Sequence, residues 1–126
     1  MPSSKDNNPR RNNIKTGRKY EQLAADFFIN QNFQILATNY RTGKKEIDLI
    51  VQKDDLVIFV EVKASSSDKF GHPSERIDKK KIANLTEAAH QFVIGNNLQK
   101  VDLRFDVITF LNGKLEHYPN AFEGAE

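Results

Sequence analysis

Four charged residues set into two otherwise apolar segments are where this chain could do chemistry. In EIDLIVQKDDLVIFVEVK, residues 46–63, Glu46 and Asp48 flank the start of one apolar run, while Glu61 and Lys63 close another. Runs such as Leu49 to Val51 and Val57 to Val60 read as strands buried on both faces of a sheet. A carboxylate inside such a strand needs a partner, because an unpaired buried charge is strongly unfavourable. With Asp54 and Asp55 as the turn, the hairpin sets Asp48 opposite Glu61 and Glu46 opposite Lys63. A three-residue loop would shift that register by one. The period of two then puts all four on one face. Opposed Cβ atoms stand about 5 Å apart, a spacing at which like charges repel.

A divalent cation between Asp48 and Glu61 would relieve that repulsion, since Mg²⁺ is held by one or two carboxylates with waters and phosphate oxygens. On this reading Asp48, Glu61 and the Val62 carbonyl hold Mg²⁺, with Mn²⁺ as an alternative. Bound metal lowers the pKa of its water and stabilises charge on an attacked phosphate. Lys63 points at the same place, where it could orient or deprotonate the water or stabilise developing charge. The competing reading is a buried ion-pair cluster that only holds the hairpin together.

The remaining elements must position these groups. A helix is expected from Thr16 or Gly17 to Asn30–Asn32, with Tyr20, Leu23, Ala24, Phe27 and Phe28 as its apolar stripe. Glu21 lies beside that stripe, and fits equally an exposed acid near a helix N-terminus. Phe33 to Tyr40 reads as a strand, and Arg41 to Lys45 as a basic turn. ASSSDKFGHPSE, residues 64–75, reads as a polar loop in which His72 has no partner spacing. A second helix is expected from Ser74 or Ile77 to Ile94, stopped by Gly95-Asn96-Asn97, with Ile82, Leu85, Ala89, Phe92 and Val93 buried. Lys79, Lys80 and Lys81 near its start oppose the helix dipole but suit an incoming phosphate. Val101 to Leu111 reads as a strand in which Arg104 and Asp106 share a face as a structural pair. An Asn112-Gly113 turn leads to a short strand, Lys114 to Tyr118, and a terminal coil.

Length and composition bound the function. The 126 residues suit one domain, 16–126, behind a basic arm, 1–15, expected to be disordered. Residues 1–19 hold six Lys or Arg against one Asp; the rest holds thirteen basic and sixteen acidic residues, so the formal +2 hides a cationic arm on an anionic body. Such an arm suits a polyanion or stays solvated. The absence of cysteine excludes disulfides, Cys-ligated zinc and a catalytic thiol. No apolar run approaches the roughly 20 residues of a membrane span, and the N-terminal segment lacks the apolar stretch of a signal peptide. A cytoplasmic protein without membrane contact is expected.

Taken together, Glu21 on the first helix, E46-I-D48-L-I, F59-V-E61-V-K63, F70-G, Lys81, R104-F-D106-V-I and N120-A-F resemble the bacterial YraN family. That family is similar to the archaeal Holliday junction resolvases, within the restriction-endonuclease-like PD-(D/E)xK superfamily. The resemblance spans about residues 14–123 and implies an α/β fold: an αβββαβ core with a mixed central sheet flanked by helices. It also implies a Mg²⁺-dependent endonuclease hydrolysing phosphodiester bonds in DNA, branched DNA included. Asp48 and Glu61 would be metal ligands, Lys63 the catalytic lysine, and Glu21 a further acid reaching the metal. Glu46 and Lys81 match family positions of accessory role, while Arg41, Lys79 and Lys80 are placed to meet nucleic acid. Resolvases act as dimers, so a homodimer is implied. Two positions depart from the family pattern: Lys45 stands where Gly is usual, and Ser65 where an Arg is usual. A non-catalytic nucleic-acid-binding or accessory protein on the same scaffold is the alternative, and the basic arm and lysines 79–81 suit it.

Overall fold

Apolar runs buried on both faces belong at the middle of a sheet, and that is where they lie. The computed structural model describes residues 9–65 and 79–124, with side chains from Gly17 onward. The element order is α1 (Pro9–Ile29), β1 (Gln34–Thr42), β2 (Lys45–Lys53), β3 (Leu56–Ser65), α2 (Lys79–Gly95), β4 (Asp102–Leu111) and β5 (Lys114–Tyr118). The strands form one sheet in the order β1-β2-β3-β4-β5. Neighbours are antiparallel except β3 and β4, which run parallel. A parallel pair needs a crossover, and α2 lies in that connection. The fold is therefore α/β, with a mixed sheet flanked by two helices, as expected.

Each helix covers one face. Ala24, Ala25 and Phe28 of α1 pack on Leu49, Val51, Ile58, Val60, Ile108 and Phe110. On the other face, Leu85, Ala88, Ala89 and Phe92 of α2 pack on Ile47, Ile50, Val57, Phe59 and Phe105. This double cover is why β2 and β3 read as near-continuous apolar segments, without hydrophobic-polar alternation.

Helix ends follow from local chemistry. α1 is already helical at Pro9, the first described residue, ahead of the expected Thr16 or Gly17. Residues 9–15 are thus helical, while residues 1–8 of the expected arm lie outside the described residues. At its other end Asn32 adopts φ +70°, the Phe33 N–H donates to the Phe28 carbonyl at 3.0 Å, and the Asn32 N–H to Ile29 at 2.9 Å. Phe28 and Phe33 rings then meet edge-on at 5.4 Å, completing a Schellman cap with its hydrophobic contact. α2 stops the same way, with Asn97 at φ +52° and Leu98 donating to Val93. The expected start of α2 at Ser74 or Ile77, the loop holding His72, and Phe70-Gly71 lie outside the described residues.

Arg41 and Thr42, expected in a turn, belong to β1; the turn shrinks to Gly43-Lys44, with Gly43 at φ +63°. Asn112 and Gly113 both take positive φ, as a two-residue hairpin turn requires. The Arg104–Asp106 pair is present, and larger than the sequence suggested. Asp106 is fully buried, accepts two hydrogen bonds from Arg104 at 2.8 Å, bonds His117 of β5 at 2.7 Å, and accepts the Asn120 N–H at 2.9 Å. Burial pushes its carboxyl up, but the bonds from His117, Arg104 and Asn120 outweigh this and hold it below the usual carboxylate range. His117 also stands edge-on to Phe27 and Phe28 of α1, so the cluster ties β4, β5 and the following turn to the first helix.

Removing one member of a buried, fully bonded charge cluster leaves the others unpaired. Asp106→Ala should cost about 3–5 kcal/mol in urea unfolding at neutral pH. Because the folded-state pKa is depressed, the wild-type contribution is present above the ordinary carboxylate value of 3.8 and is lost as pH falls through the folded value. The gap between wild type and Asp106→Ala should therefore narrow in acid; a gap independent of pH would contradict this assignment.

Candidate active site

Regular alternation fails at one place in β2, and the failure builds the site. Ile47 packs under α2, yet Leu49, two residues on, packs under α1, and Ile50 returns to the α2 side. β2 therefore changes face at Asp48. Across from it on β1, between the pairs Thr38↔Leu49 and Tyr40↔Ile47, Asn39 adopts φ +51°. Asparagine is among the few side chains that enter this left-handed region readily.

The β2–β3 register is the one expected, from Lys53↔Leu56 to Leu49↔Val60, with Asp54 at φ +53° in the turn. The paired residues stop at Leu49↔Val60, and at the next position the Asp48 carboxylate accepts the Val62 N–H at 2.8 Å. A side chain thus replaces a backbone rung. The expectation that Glu46, Asp48, Glu61 and Lys63 share one face in two opposed pairs needs correction. Glu46 is not paired with Lys63: it lies in register with Arg41 of β1 and accepts a hydrogen bond from its Nε at 2.6 Å. Lys63 lies in parallel register with Thr109 of β4. The simple alternation that joined the four did not allow for the face change at Asp48.

Asp48 and Glu61 do come together. Burial first, then the charge of Glu61 and a hydrogen bond with it, push the Asp48 carboxyl up to about 8; the Val62 N–H partly opposes this and the charge of Glu21 adds to it. Without metal, Asp48 therefore keeps a proton at neutral pH, the familiar outcome for two carboxylates in one site. Glu61 is buried, and its Oε2 accepts no hydrogen bond although the Lys81 ammonium of α2 stands 3.2 Å away. Among the described residues, the other buried side-chain polar atom without a hydrogen-bond partner is Thr109 Oγ1. Alternation along β3 and β4 places Glu61, Lys63 and Thr109 all on the α2 side. A buried, unbonded carboxylate oxygen beside a carboxyl with a raised pKa fits a divalent cation as a missing partner. Among the described residues no three acidic or histidine side chains are grouped to hold an ion. Mg²⁺ at Asp48 and Glu61 would draw its other ligands from water and phosphate.

Two clefts flank this centre. On the α2 side, one of about 130 Å³ is lined by Lys44, Lys45, Glu46, Asp48, Lys81, Asn84 and Leu85. Lys45 leans onto α2 through Glu87 at 3.1 Å and so braces the cleft wall. On the α1 side, a cleft of about 380 Å³ is lined by Gly17, Arg18, Glu21, Asn39, Arg41 and Glu46. Glu21 sits here, near enough to raise Asp48 by its charge but across Glu46 from the lysine-lined cleft. Lys79 and Lys80 are exposed on the first described turn of α2. Lys44, Asn39 and Asn84 were missed in the sequence. Of these, only Asn39 carried a signal: an asparagine inside a strand, where left-handed backbone is the usual reason for it.

The model of an uncharacterised protein family, UPF0102, matches residues 20–110, which include Glu21, Asp48, Glu61, Lys63 and Lys81. A UPF0102 protein of Chloroherpeton thalassium is 43% identical over 99 residues, covering 79% of this chain and 77% of that protein. One from Clostridioides difficile is 39% identical over 113 residues, covering 88% of this chain and 99% of its own length. Another, from a Sulfurihydrogenibium species, is 39% identical over 106 residues, covering 84% and 92%. The chain belongs to UPF0102, the YraN family. Among the described residues of this YraN-family chain, no helix is long and apolar enough to cross a membrane.

The raised Asp48 carboxyl gives a sign that stability measurements can read. An acid whose folded pKa lies above its ordinary 3.8 loses stability as pH rises from about that value to about 8. In metal-free buffer, Asp48→Asn removes this penalty while its amide oxygen still accepts the Val62 N–H. The variant should melt about 4 °C or more above wild type at pH 8.5, converging with it near pH 4. Equal melting curves at pH 8.5 would refute the raised pKa.

Proposed function

We propose that this chain is a metal-dependent phosphodiesterase that cleaves DNA, branched DNA included, with Asp48, Glu61 and Lys63 as its working residues. The observation that carries this is the Asp48–Glu61 pair: one carboxyl with a raised pKa, the other buried with an oxygen that accepts no hydrogen bond. A purely structural cluster satisfies its members, as Asp106 is satisfied at the far side of the sheet. The contrast within one molecule supports the catalytic reading.

Asp48 and Glu61 would hold Mg²⁺ or Mn²⁺, which when bound activates water and stabilises charge on the attacked phosphate. The chain's own groups do the rest. The Val62 N–H fixes the Asp48 carboxylate. Lys63, two residues beyond Glu61 on the same strand face, orients the attacking water or stabilises the developing charge. Glu21, beyond Glu46, adds negative charge that favours a cation at Asp48. Glu46 holds the Arg41 guanidinium at the cleft rim, where it meets the nucleic-acid backbone. Lys44, Lys45 and Lys81 form a cationic approach on the α2 side, continued by exposed Lys79 and Lys80. A cytoplasmic location suits this substrate, and a homodimer suits a junction, which has two strands to cut.

With Mg²⁺ or Mn²⁺, the purified chain should cleave labelled DNA when tested on four-way junction, flap and linear forms, and EDTA should abolish this. Asp48→Ala and Glu61→Ala should leave no measurable activity, and Lys63→Met should lower kcat by about 10²–10⁴. Cleavage that survives Asp48→Ala and Glu61→Ala would overturn the assignment. Salt-dependent binding without metal or turnover, unchanged by Lys63→Met, would favour the accessory-protein reading instead.

A further inference from the structure

Lys81 is the one cation recorded on the buried acid of the site among the described residues, and its contact is an odd one. Its ammonium stands 3.2 Å from Glu61 Oε2, close enough for an ion pair, yet that oxygen accepts no hydrogen bond. The two ends also differ in freedom: the Glu61 side chain is 10% exposed, that of Lys81 47%. The acid is fixed in the sheet, whereas the lysine reaches it from the first described turn of α2 on a flexible four-carbon stem. Along that reach Lys81 lines the lysine-rich cleft that opens over Asp48.

We infer that Lys81 is an exchangeable counter-cation: it neutralises Glu61 when no metal is bound, and a divalent ion displaces it toward the substrate phosphate. A divalent ion on Glu61 takes up the charge that holds the ammonium and repels it, so metal and ammonium compete for Glu61. At Glu61 Oε2, an ammonium contact without an aligned hydrogen bond is the weaker contender. Once released it stays within the cleft beside Lys44 and Lys45, where a phosphate would meet three ammonium groups instead of two. Metal binding and phosphate binding are then coupled through one side chain: the ion that completes the acidic pair also frees a cation for the DNA backbone. The inference rests on the proposed metal-dependent activity and goes beyond it, because it gives the α2 lysine opposite effects on the two ligands.

The test is a calorimetric Mn²⁺ titration of the full chain without DNA, comparing wild type, Lys81→Met and Lys44→Met. Lys44 lines the same cleft, so it controls for the general loss of a positive charge. Lys81→Met should tighten Mn²⁺ about tenfold, within the usual range of coupling between two ligands. Lys44→Met should change it far less. Binding of a four-way junction in Ca²⁺ should move the other way: Lys81→Met weakens it and lowers the salt dependence by about one ion. Mn²⁺ affinity that is unchanged or weaker in Lys81→Met, or an equal gain in Lys44→Met, overturns the competition while leaving a metal-binding wild type intact. An unaltered salt dependence overturns the transfer to phosphate. If wild type and both variants bind no Mn²⁺, the metal-dependent activity fails and the inference with it.

Discussion

Two carboxylates held together at the end of a strand pair are the constraint on which the rest of this molecule depends. Asp48 and Glu61 belong to the two central strands, whose other side chains are committed to covering both helices. Neither acid can move away without disturbing that packing, because β2 and β3 are buried on both sides. The repulsion is instead absorbed chemically: Asp48 takes up a proton at neutral pH, and a lysine from α2 approaches Glu61. Each adjustment can be undone by a divalent cation, which a proton or an ammonium replaces only in charge.

The backbone serves the same end. At Asp48 β2 changes face opposite a left-handed Asn39, and the carboxylate takes the Val62 N–H in place of a backbone carbonyl. A group held by main-chain hydrogen bonding where the pairing of two interior strands ends has little freedom, which is what a metal ligand or a catalytic carboxylate requires. The Asp106 cluster shows the opposite solution on the same sheet. There Arg104, His117 and the Asn120 N–H fill the carboxylate's bonding capacity, and nothing is left over for a ligand. Among the described buried acids, Asp106 is saturated, whereas Glu61 is paired with Asp48.

The clefts on either side follow from this division of labour. The α2 side gathers Lys44, Lys45 and Lys81 around Asp48, while the α1 side sets Arg18 and Arg41 among Glu21 and Glu46. The body as a whole is anionic once the first nineteen residues are set aside. On the proposed function, approach of a polyanion would depend on these local cations and on neutralising the acidic pair, and not on the overall charge.

While the mixed sheet was what the family resemblance implied, the sequence by itself determined the two helices, the five strands and the pairing of Asp48 with Glu61. Those depend on hydrophobic period, turn residues and chain order, which are local and survive in one dimension. The hairpin register was legible because Asp54-Asp55 lies midway between two apolar runs of similar length, where a two-residue turn pairs the runs end to end. What only the tertiary structure decided is the company each charge keeps. Glu46 turns to Arg41 instead of Lys63, Lys81 arrives from a helix twenty residues further along, and His117 joins Asp106 across two strands. The cause lies at Asn39 and Asp48, where one left-handed residue breaks the alternation from which side-chain faces are inferred. No periodicity records such a break, so Glu46 and Lys63 could be named as charged neighbours of the site while their partners could not.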